Sequence, residues 1–300
     1  MLLSGEADRP ELLRDEAALW RSAIAGRCGL DFGAGRERTL SRGLWGRARE
    51  VGARSYAEYR RFLAGNGAEW QPLIERLVNP ETRFWRHAPS FEALVEVALP
   101  ELLRERTARF SAEPLRIWSA GCSTGEEAYS LAIAALLGPG LRPTGRPKAP
   151  PVRVLGTDLC EASLARARRG CYGERSVGAL PPKLAPLGLR RPADDPRRPY
   201  EVAPEVRAAV AFAQGNLTED GAPEEPQDVI FCQNVLLYFH PDLRTEVVRR
   251  LVRHLAPGGF LFLAPGEIVG LRLPELSGLC CASAAVYRRN RSPRPAAEES

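Results

Sequence analysis

Two spacings of apolar residues divide the chain. Between residues 11 and 78 they recur every three or four positions, as in Leu40, Leu44, Ala48 and Val51, the stripe of a helix with one packed face. The pattern predicts helices over 18–27, through 40–51, over 55–64 with Ser55 as cap, and over 69–78. Together these make a small all-helical domain over residues 1–78. After residue 110, short apolar runs at 115–118, 152–156, 210–213, 229–232, 260–264 and 282–287 alternate with helical patterns at 126–137, 161–169 and 241–255; a further helix is expected at 91–106. Such alternation builds a mostly parallel sheet wrapped by helices. Residues 79–290 are therefore expected to form an α/β domain.

Proline and glycine punctuate this plan. Pro241 suits a first helical turn, and Pro257-Gly258-Gly259 predicts a turn into the next strand. The stretch 138–151 reads as a loop and 291–300 as a disordered tail. Residues 180–204 break the alternation with seven prolines (181, 182, 186, 192, 196, 199 and 204). An insertion over 180–210 is expected, with a short extended hairpin around 200–206. It is either a partner-contacting element or an unstructured surface excursion.

The run LRIWSAGCSTGEEAY, residues 115–129, reads as strand, glycine turn and helix. Gly121 and Gly125 permit positive φ and close backbone approach. The spacing is G-x-x-x-G, and Glu126 and Glu127 stand where a pyrophosphate needs a bare positive helix end. Two acids there suit a ligand bearing an ammonium or a sulfonium, and S-adenosylmethionine bears both. A tight turn in an ordinary α/β sheet is the alternative. Three other strand ends carry fitting chemistry: Asp158 as a ribose acceptor, Asn216 and Leu217 as adenine contacts, and the run FCQNVLLYF, residues 231–239. In open sheets such groups converge on the crevice beyond the carboxyl ends of the strands.

Charge adds a second theme. The net charge is +5, and only Lys148 and Lys183 are lysines. From Arg27 to Arg61 there are nine arginines against four acidic residues. Arg36, Arg38, Arg42, Arg47 and Arg49 lie largely off the apolar stripe and form a basic face. An acidic protein helix, a nucleic acid and plain solvation are the candidate uses; no stacking aromatics interleave the arginines, which argues against nucleic acid. There is no run of eighteen apolar residues, and the first twenty residues carry acids where a signal peptide carries basic residues. A cytoplasmic protein with no membrane insertion is expected. Seven scattered cysteines without a C-x-x-C pair, and only three histidines, predict buried reduced thiols and no metal site.

The stretches ERLVNPETRFWRHAPSF, RIWSAGCSTGEEAYSLAI, GTDLCEASLARARRGCY, GNL, DVIFCQNVLLYF and LAPGGFLFLAPGE, in this order, resemble the CheR family of chemotaxis receptor methyltransferases, from about residue 15 to residue 287. The resemblance implies a Rossmann-like S-adenosylmethionine-dependent methyltransferase domain behind a small helical domain. It also implies the methylation of glutamate side chains on chemoreceptor cytoplasmic helices, with S-adenosylhomocysteine as product; the alternatives are a methyltransferase of the same fold acting on a different protein or a small acid, and an inactive cofactor-binding adaptor. By its motifs Thr82 and Arg86 lie beside the cofactor and the reaction centre, Glu127 holds the methionine moiety, and Asp158 holds the ribose. Asn216 and Leu217 meet the adenine, Asn234 lies in the family's Arg-Asn-Val motif, and Tyr238 sits near the transferring methyl. The acidic methylation helices are the implied partner of the basic face, and a monomer is expected. Two positions depart from the family: Pro80 where an asparagine is common, and Gln233 where an arginine is usual. The insertion takes the place of the family's β-subdomain, which docks receptor tether peptides in some members. Short of obvious strands, it is not expected to bind a tether tightly.

Overall fold

A computed structural model describes residues 9–33, 35–108, 113–137, 151–191, 199–219, 223–281 and 283–291. The expected loop at 138–151 (except Pro151), the middle of the proline-rich stretch and the tail beyond Arg291 lie outside the described residues.

The first 78 residues fold as helices α1 (Arg14–Cys28), α2 (Glu37–Glu50), α3 (Tyr56–Gly65) and α4 (Trp70–Leu77). Each buries one stripe: Trp20, Ile24 and Cys28 on α1, and Leu40, Leu44 and Ala48 on α2. Ser55 caps α3, its hydroxyl accepting the Glu58 N–H at 3.1 Å. At Gly43, α2 runs so close to α4 that a Cβ would lie 2.5 Å from Leu77 Cδ2. The domain also buries a charge. Glu69, 6% exposed, accepts two bonds from Arg47, at 2.8 and 2.9 Å, and one from the Tyr59 hydroxyl at 2.8 Å. Burial alone would raise the Glu69 carboxyl, but these bonds outweigh it and hold the group below the usual carboxylate range. Arg47 also pairs with Glu50. It is thus a strut of the helical core and not part of a free basic face.

Next come α5 (Ala88–Ala93), a π-helical turn (Leu94–Ala98) and α6 (Leu99–Ala108), one continuous rod where a single helix is expected. The chain then alternates: β1 (Leu115–Ala120), α7 (Glu126–Leu137), β2 (Val152–Asp158) and α8 (Glu161–Arg169). A small antiparallel sheet follows, of β3 (Cys171–Tyr172), β4 (Leu189–Arg190) and β5 (Tyr200–Val202), with short helices α9 (Glu174–Val177) and α10 (Ala185–Gly188). The excursion thus begins before residue 180 and holds strands that its proline spacing hides. The expected hairpin ends at Val202, where α11 (Pro204–Ala208) takes over.

The main sheet is completed by β6 (Val210–Gln214), β7 (Gln227–Cys232), α12 (Pro241–His254), β8 (Leu255–Leu263), β9 (Leu276–Cys281) and β10 (Ala284–Arg289). Its order is β6-β2-β1-β7-β8-β10-β9; the first five strands are parallel and β10 is antiparallel to both its neighbours. β1 and β7 are almost wholly buried, as central parallel strands covered on both faces are. Two details differ from expectation. Pro257-Gly258-Gly259 is a bulge inside β8, where the pairing jumps from Gln227↔Leu255 to Val229↔Phe260, and not a turn before the strand. The strand expected at 282–287 is preceded by an unforeseen edge strand, β9. The cysteines divide as well: Cys28, Cys122, Cys160 and Cys232 are buried, but Cys171 and Cys280 are exposed.

Removing the guanidinium from the buried pair strands the Glu69 carboxylate. Arg47→Ala should destabilise the protein by about 3 kcal/mol, read from its denaturant midpoint, and Glu69→Leu in the same background should restore part of the loss. An Arg47→Ala protein of unchanged midpoint would contradict the assignment.

Candidate active site

From β1 the chain moves outward to β2 and β6, then returns to the other side of β1 with β7 and β8. A crevice opens where the two directions part, beyond the carboxyl ends of β1 and β7. It is a cleft of about 1160 Å³, its open mouth included. The strand-end residues singled out in the sequence, Gly121, Glu127, Asp158, Asn216, Leu217, Gln233 and Asn234, all line it. So do Thr82, Arg86 and Tyr238. Of the five arginines of the expected basic face, none lines the cleft among the described residues.

Gly121 and Gly125 have φ of +86° and +96°. A Cβ at 121 would lie 2.4 Å from Val235 Cγ2, and one at 125 would lie 2.7 Å from the Ala167 Cβ. Close packing of the protein on itself therefore demands both glycines. The turn is tied to β2 by the Gly121 and Cys122 N–H groups, which both donate to the Thr157 carbonyl. The two acids that follow have separate tasks. Glu126 is buried, accepting hydrogen bonds from Thr124 Oγ1 at 2.6 Å and Ser176 Oγ at 2.8 Å. Glu127 faces the cleft and accepts the Ser119 hydroxyl at 2.6 Å. Desolvation pushes the Glu127 carboxyl up to about 7, against the Ser119 bond and the nearby positive charge of Arg86, and with a further push from Glu267.

Asp158 is held by the backbone: Oδ2 accepts the Ser123 N–H at 2.8 Å and Oδ1 the Cys160 N–H at 2.9 Å. Each oxygen keeps a lone pair for a ligand hydroxyl. Burial nevertheless raises this carboxyl. Asn216 is less available than its position in the chain implies. Its Oδ1 accepts from the Thr218 N–H and hydroxyl, and its Nδ2 donates to Glu219 Oε1 at 2.9 Å. This leaves Leu217, with Leu159 and Phe239, as apolar lining for a base. Gln233 is similarly engaged: its Nε2 donates to Ser90 Oγ at 2.6 Å and to the Leu263 carbonyl at 3.3 Å.

Two loops complete the cleft, and both are strained. Arg86 lies between Trp85 and His87, whose φ values are +54° and +67°. A bulky residue tolerates that conformation only where its surroundings impose it. The Trp85 N–H donates to Ser130 Oγ at 3.0 Å, and the indole stacks on Phe91 at 4.4 Å. The Phe84 N–H donates to the Ser176 carbonyl at 2.9 Å, and Arg86 Nη1 donates to the Glu81 carbonyl at 2.8 Å. On the other side Asn234 has φ +59°. Here a residue that sequence reasoning missed does the holding. Glu267, buried in the loop after β8, accepts the N–H groups of Leu237 at 3.3 Å and Ala264 at 3.2 Å, and the nearby amides of Asn234 and Val235 also favour its charge. Its only sequence signal was an acid in the turn-like run PGE.

Residues 80–279 match the family model described as the CheR methyltransferase SAM binding domain, and residues 15–78 match the CheR methyltransferase all-alpha domain. The chain belongs to the CheR methyltransferase family. Chemotaxis protein methyltransferase 1 of Pseudomonas aeruginosa is 30% identical over 275 residues, covering 90% of this chain and 96% of the relative. Probable biofilm formation methyltransferase WspC of the same organism is 34% identical over 280 residues, and there the match spans 62% of the relative's length. Chemotaxis protein methyltransferase 2 of Vibrio cholerae is 34% identical over 217 residues, covering 71% of this chain and 70% of the relative.

The cleft's chemistry suits S-adenosylmethionine: a carboxylate for an ammonium at Glu127, two acceptors for vicinal hydroxyls at Asp158, and apolar lining for a base. Among the described residues no cluster of three or more His, Cys, Asp and Glu is arranged to hold a metal, and no helix is long and apolar enough to cross a membrane.

The raised Glu127 has a measurable consequence. An ammonium binds the ionised carboxylate, so binding releases the proton, and affinity weakens as pH falls below about 7. Titration calorimetry of S-adenosylmethionine should show Kd rising by up to about tenfold per pH unit below that point. Glu127→Gln should weaken binding and flatten the pH profile. A Kd independent of pH between 5.5 and 8 in the unaltered protein would refute this.

Proposed function

We propose that this protein is a protein-glutamate O-methyltransferase of chemosensory signalling, acting in the cytoplasm as a monomer on the acidic methylation helices of chemoreceptors. The observation that carries the reading is the placement of Arg86. It is a partly exposed guanidinium that lines the same cleft as Glu127 and Asp158 and is steadied by the Glu81 carbonyl. Relatives named chemotaxis protein methyltransferases, aligned over 70% or more of this chain, support the pathway.

When bound, S-adenosylmethionine supplies an electrophilic methyl group that a carboxylate oxygen takes by in-line displacement, giving the ester and S-adenosylhomocysteine. A glutamate is already ionised at neutral pH, so no general base is needed. What the protein provides is alignment and exclusion of water, effects that supply roughly 7–11 kcal/mol in favourable systems. Arg86 grips the incoming carboxylate, Tyr238 orients it against the methyl group, and Thr82 borders both. Glu127 and Asp158 hold the donor at its amino acid and ribose ends; Leu217 and the turn at Asn216 border the base, and Gln233 and Asn234 the space beside β1.

Outside the cleft, Arg38, Arg42 and Arg49 are the exposed remainder of the basic face. They attract an acidic helix toward the cleft through a field that salt screens. With Arg47 committed to Glu69, steering falls to the exposed three.

Labelled methyl transfer to a chemoreceptor cytoplasmic fragment, released by mild alkali as an ester is, tests the reaction; alkali-stable label, or none, would sink it. Arg86→Ala should lower kcat by roughly a hundredfold or more, with a much smaller loss of cofactor affinity at about pH 8, where Glu127 is ionised. Charge reversal at Arg38 and Arg42 together should raise the KM for receptor several-fold at low salt with kcat little changed. An unmoved KM would leave that face without a substrate role.

A further inference from the structure

Arg36 behaves unlike the other arginines around α2. It immediately precedes the helix and reaches across to the α/β domain. Its Nη2 donates to the Leu237 carbonyl at 3.1 Å and its Nη1 to the Asp31 carbonyl at 3.3 Å. The guanidinium carbon lies 4.7 Å from the centre of the Tyr238 ring, within cation–π range. The neighbouring chain makes two more links to the same loop. The Asp31 N–H donates to the Tyr238 carbonyl at 2.8 Å, and Leu30 and Phe239 form an isolated antiparallel bridge.

Tyr238 needs such help. It ends a three-residue 3₁₀ turn (Leu236–Tyr238), and among the described residues its hydroxyl has no hydrogen-bond partner. Glu267 fixes the backbone of that loop from the far side but reaches no further along it than the Leu237 N–H. The ring packs against the apolar core of the helical domain, and the group that lies over its face is the Arg36 guanidinium.

We infer that Arg36 is a positioning residue for Tyr238: it fixes the ring at the cleft and makes the helical domain a structural part of the reaction site as well as a docking face. This rests on the role proposed for Tyr238. Arg36 thereby leaves the set of substrate-steering arginines. Arg36 and Arg38 sit two positions apart in sequence, on different faces, and do different work.

The test uses the full chain with Arg36→Met, which keeps the apolar stem and removes the charge and the donors, and with Arg36→Lys. Arg36→Met should lower kcat about tenfold, with KM for receptor, its salt dependence and cofactor affinity little changed; Arg36→Lys should recover part of the loss. In a Tyr238→Ala background, adding Arg36→Met should change kcat by less than about twofold. Where Tyr238→Ala itself lowers kcat, an unchanged kcat in Arg36→Met, equal losses with and without the ring, or a salt-dependent rise in KM alone would overturn the inference. A second readout separates its failure from that of the Tyr238 role. In protein labelled with 3-fluorotyrosine, the Tyr238 signal, assigned through Tyr238→Phe, should shift in Arg36→Met. If Tyr238→Ala is fully active, the catalytic role of Tyr238 falls, and positioning then stands or falls on whether that signal moves.

Discussion

A carboxylate kept from water organises the cleft. Glu127 sits in the first turn of α7, beyond the carboxyl end of β1, where desolvation opposes its charge and Glu267 adds to the opposition. Only the Ser119 hydroxyl and the positive charge of Arg86 counter it in the free protein. A ligand that brings its own cation would complete the balance, so the site favours positive charge on electrostatic grounds. The same arrangement ties donor and acceptor chemistry together. Arg86, the group proposed to hold the methyl acceptor, is also part of the electrostatic environment of Glu127, the group proposed to hold the donor.

Around that charge the backbone is bent into conformations that ordinary sequences avoid. Ser123, Trp85, His87 and Asn234 all have positive φ, and all lie in or beside the cleft. Each such residue costs of order 1–3 kcal/mol unless its surroundings impose the conformation. Here the surroundings come from afar: Ser130 and Phe91 hold Trp85, Glu267 holds the Asn234 loop, and Asp158 accepts the Ser123 N–H. Loops of this kind are dictated by their neighbours, which places much of the rigidity of the site in residues outside the strained loops themselves.

The architecture was legible wherever a local rule governs it. Alternating apolar runs announced the parallel strands, a serine cap announced α3, and four strand ends with suitable side chains announced one crevice. What escaped was decided at long range. Nothing local distinguishes Glu126 from Glu127, since the difference is that Ser176, fifty residues away, occupies the first. The sequence of α2 places Arg47 among other arginines, yet Glu69, 22 residues later at the start of the adjacent α4, binds it. Asn216 has the right chemistry and position, but Thr218 and Glu219 use both ends of its amide. The strands at 171–202 are two or three residues long and broken by proline, too short for any periodicity, and β9 is an edge strand of small residues. Glu267 was invisible because its role is to bond to a backbone thirty residues earlier.

Ser176 makes two unlike connections. Its carbonyl accepts the Phe84 N–H of the arginine-bearing loop, and its hydroxyl donates to Glu126 at the start of α7. Tyr172, on β3 just before α9, donates to the Thr124 carbonyl at 2.7 Å and packs edge-on against Phe84. The small sheet is therefore not a detachable cartridge. Exchanging residues 171–202 between relatives to change partner choice would also swap the brace behind both active-site loops, so a working chimera has to carry those two side chains across the splice.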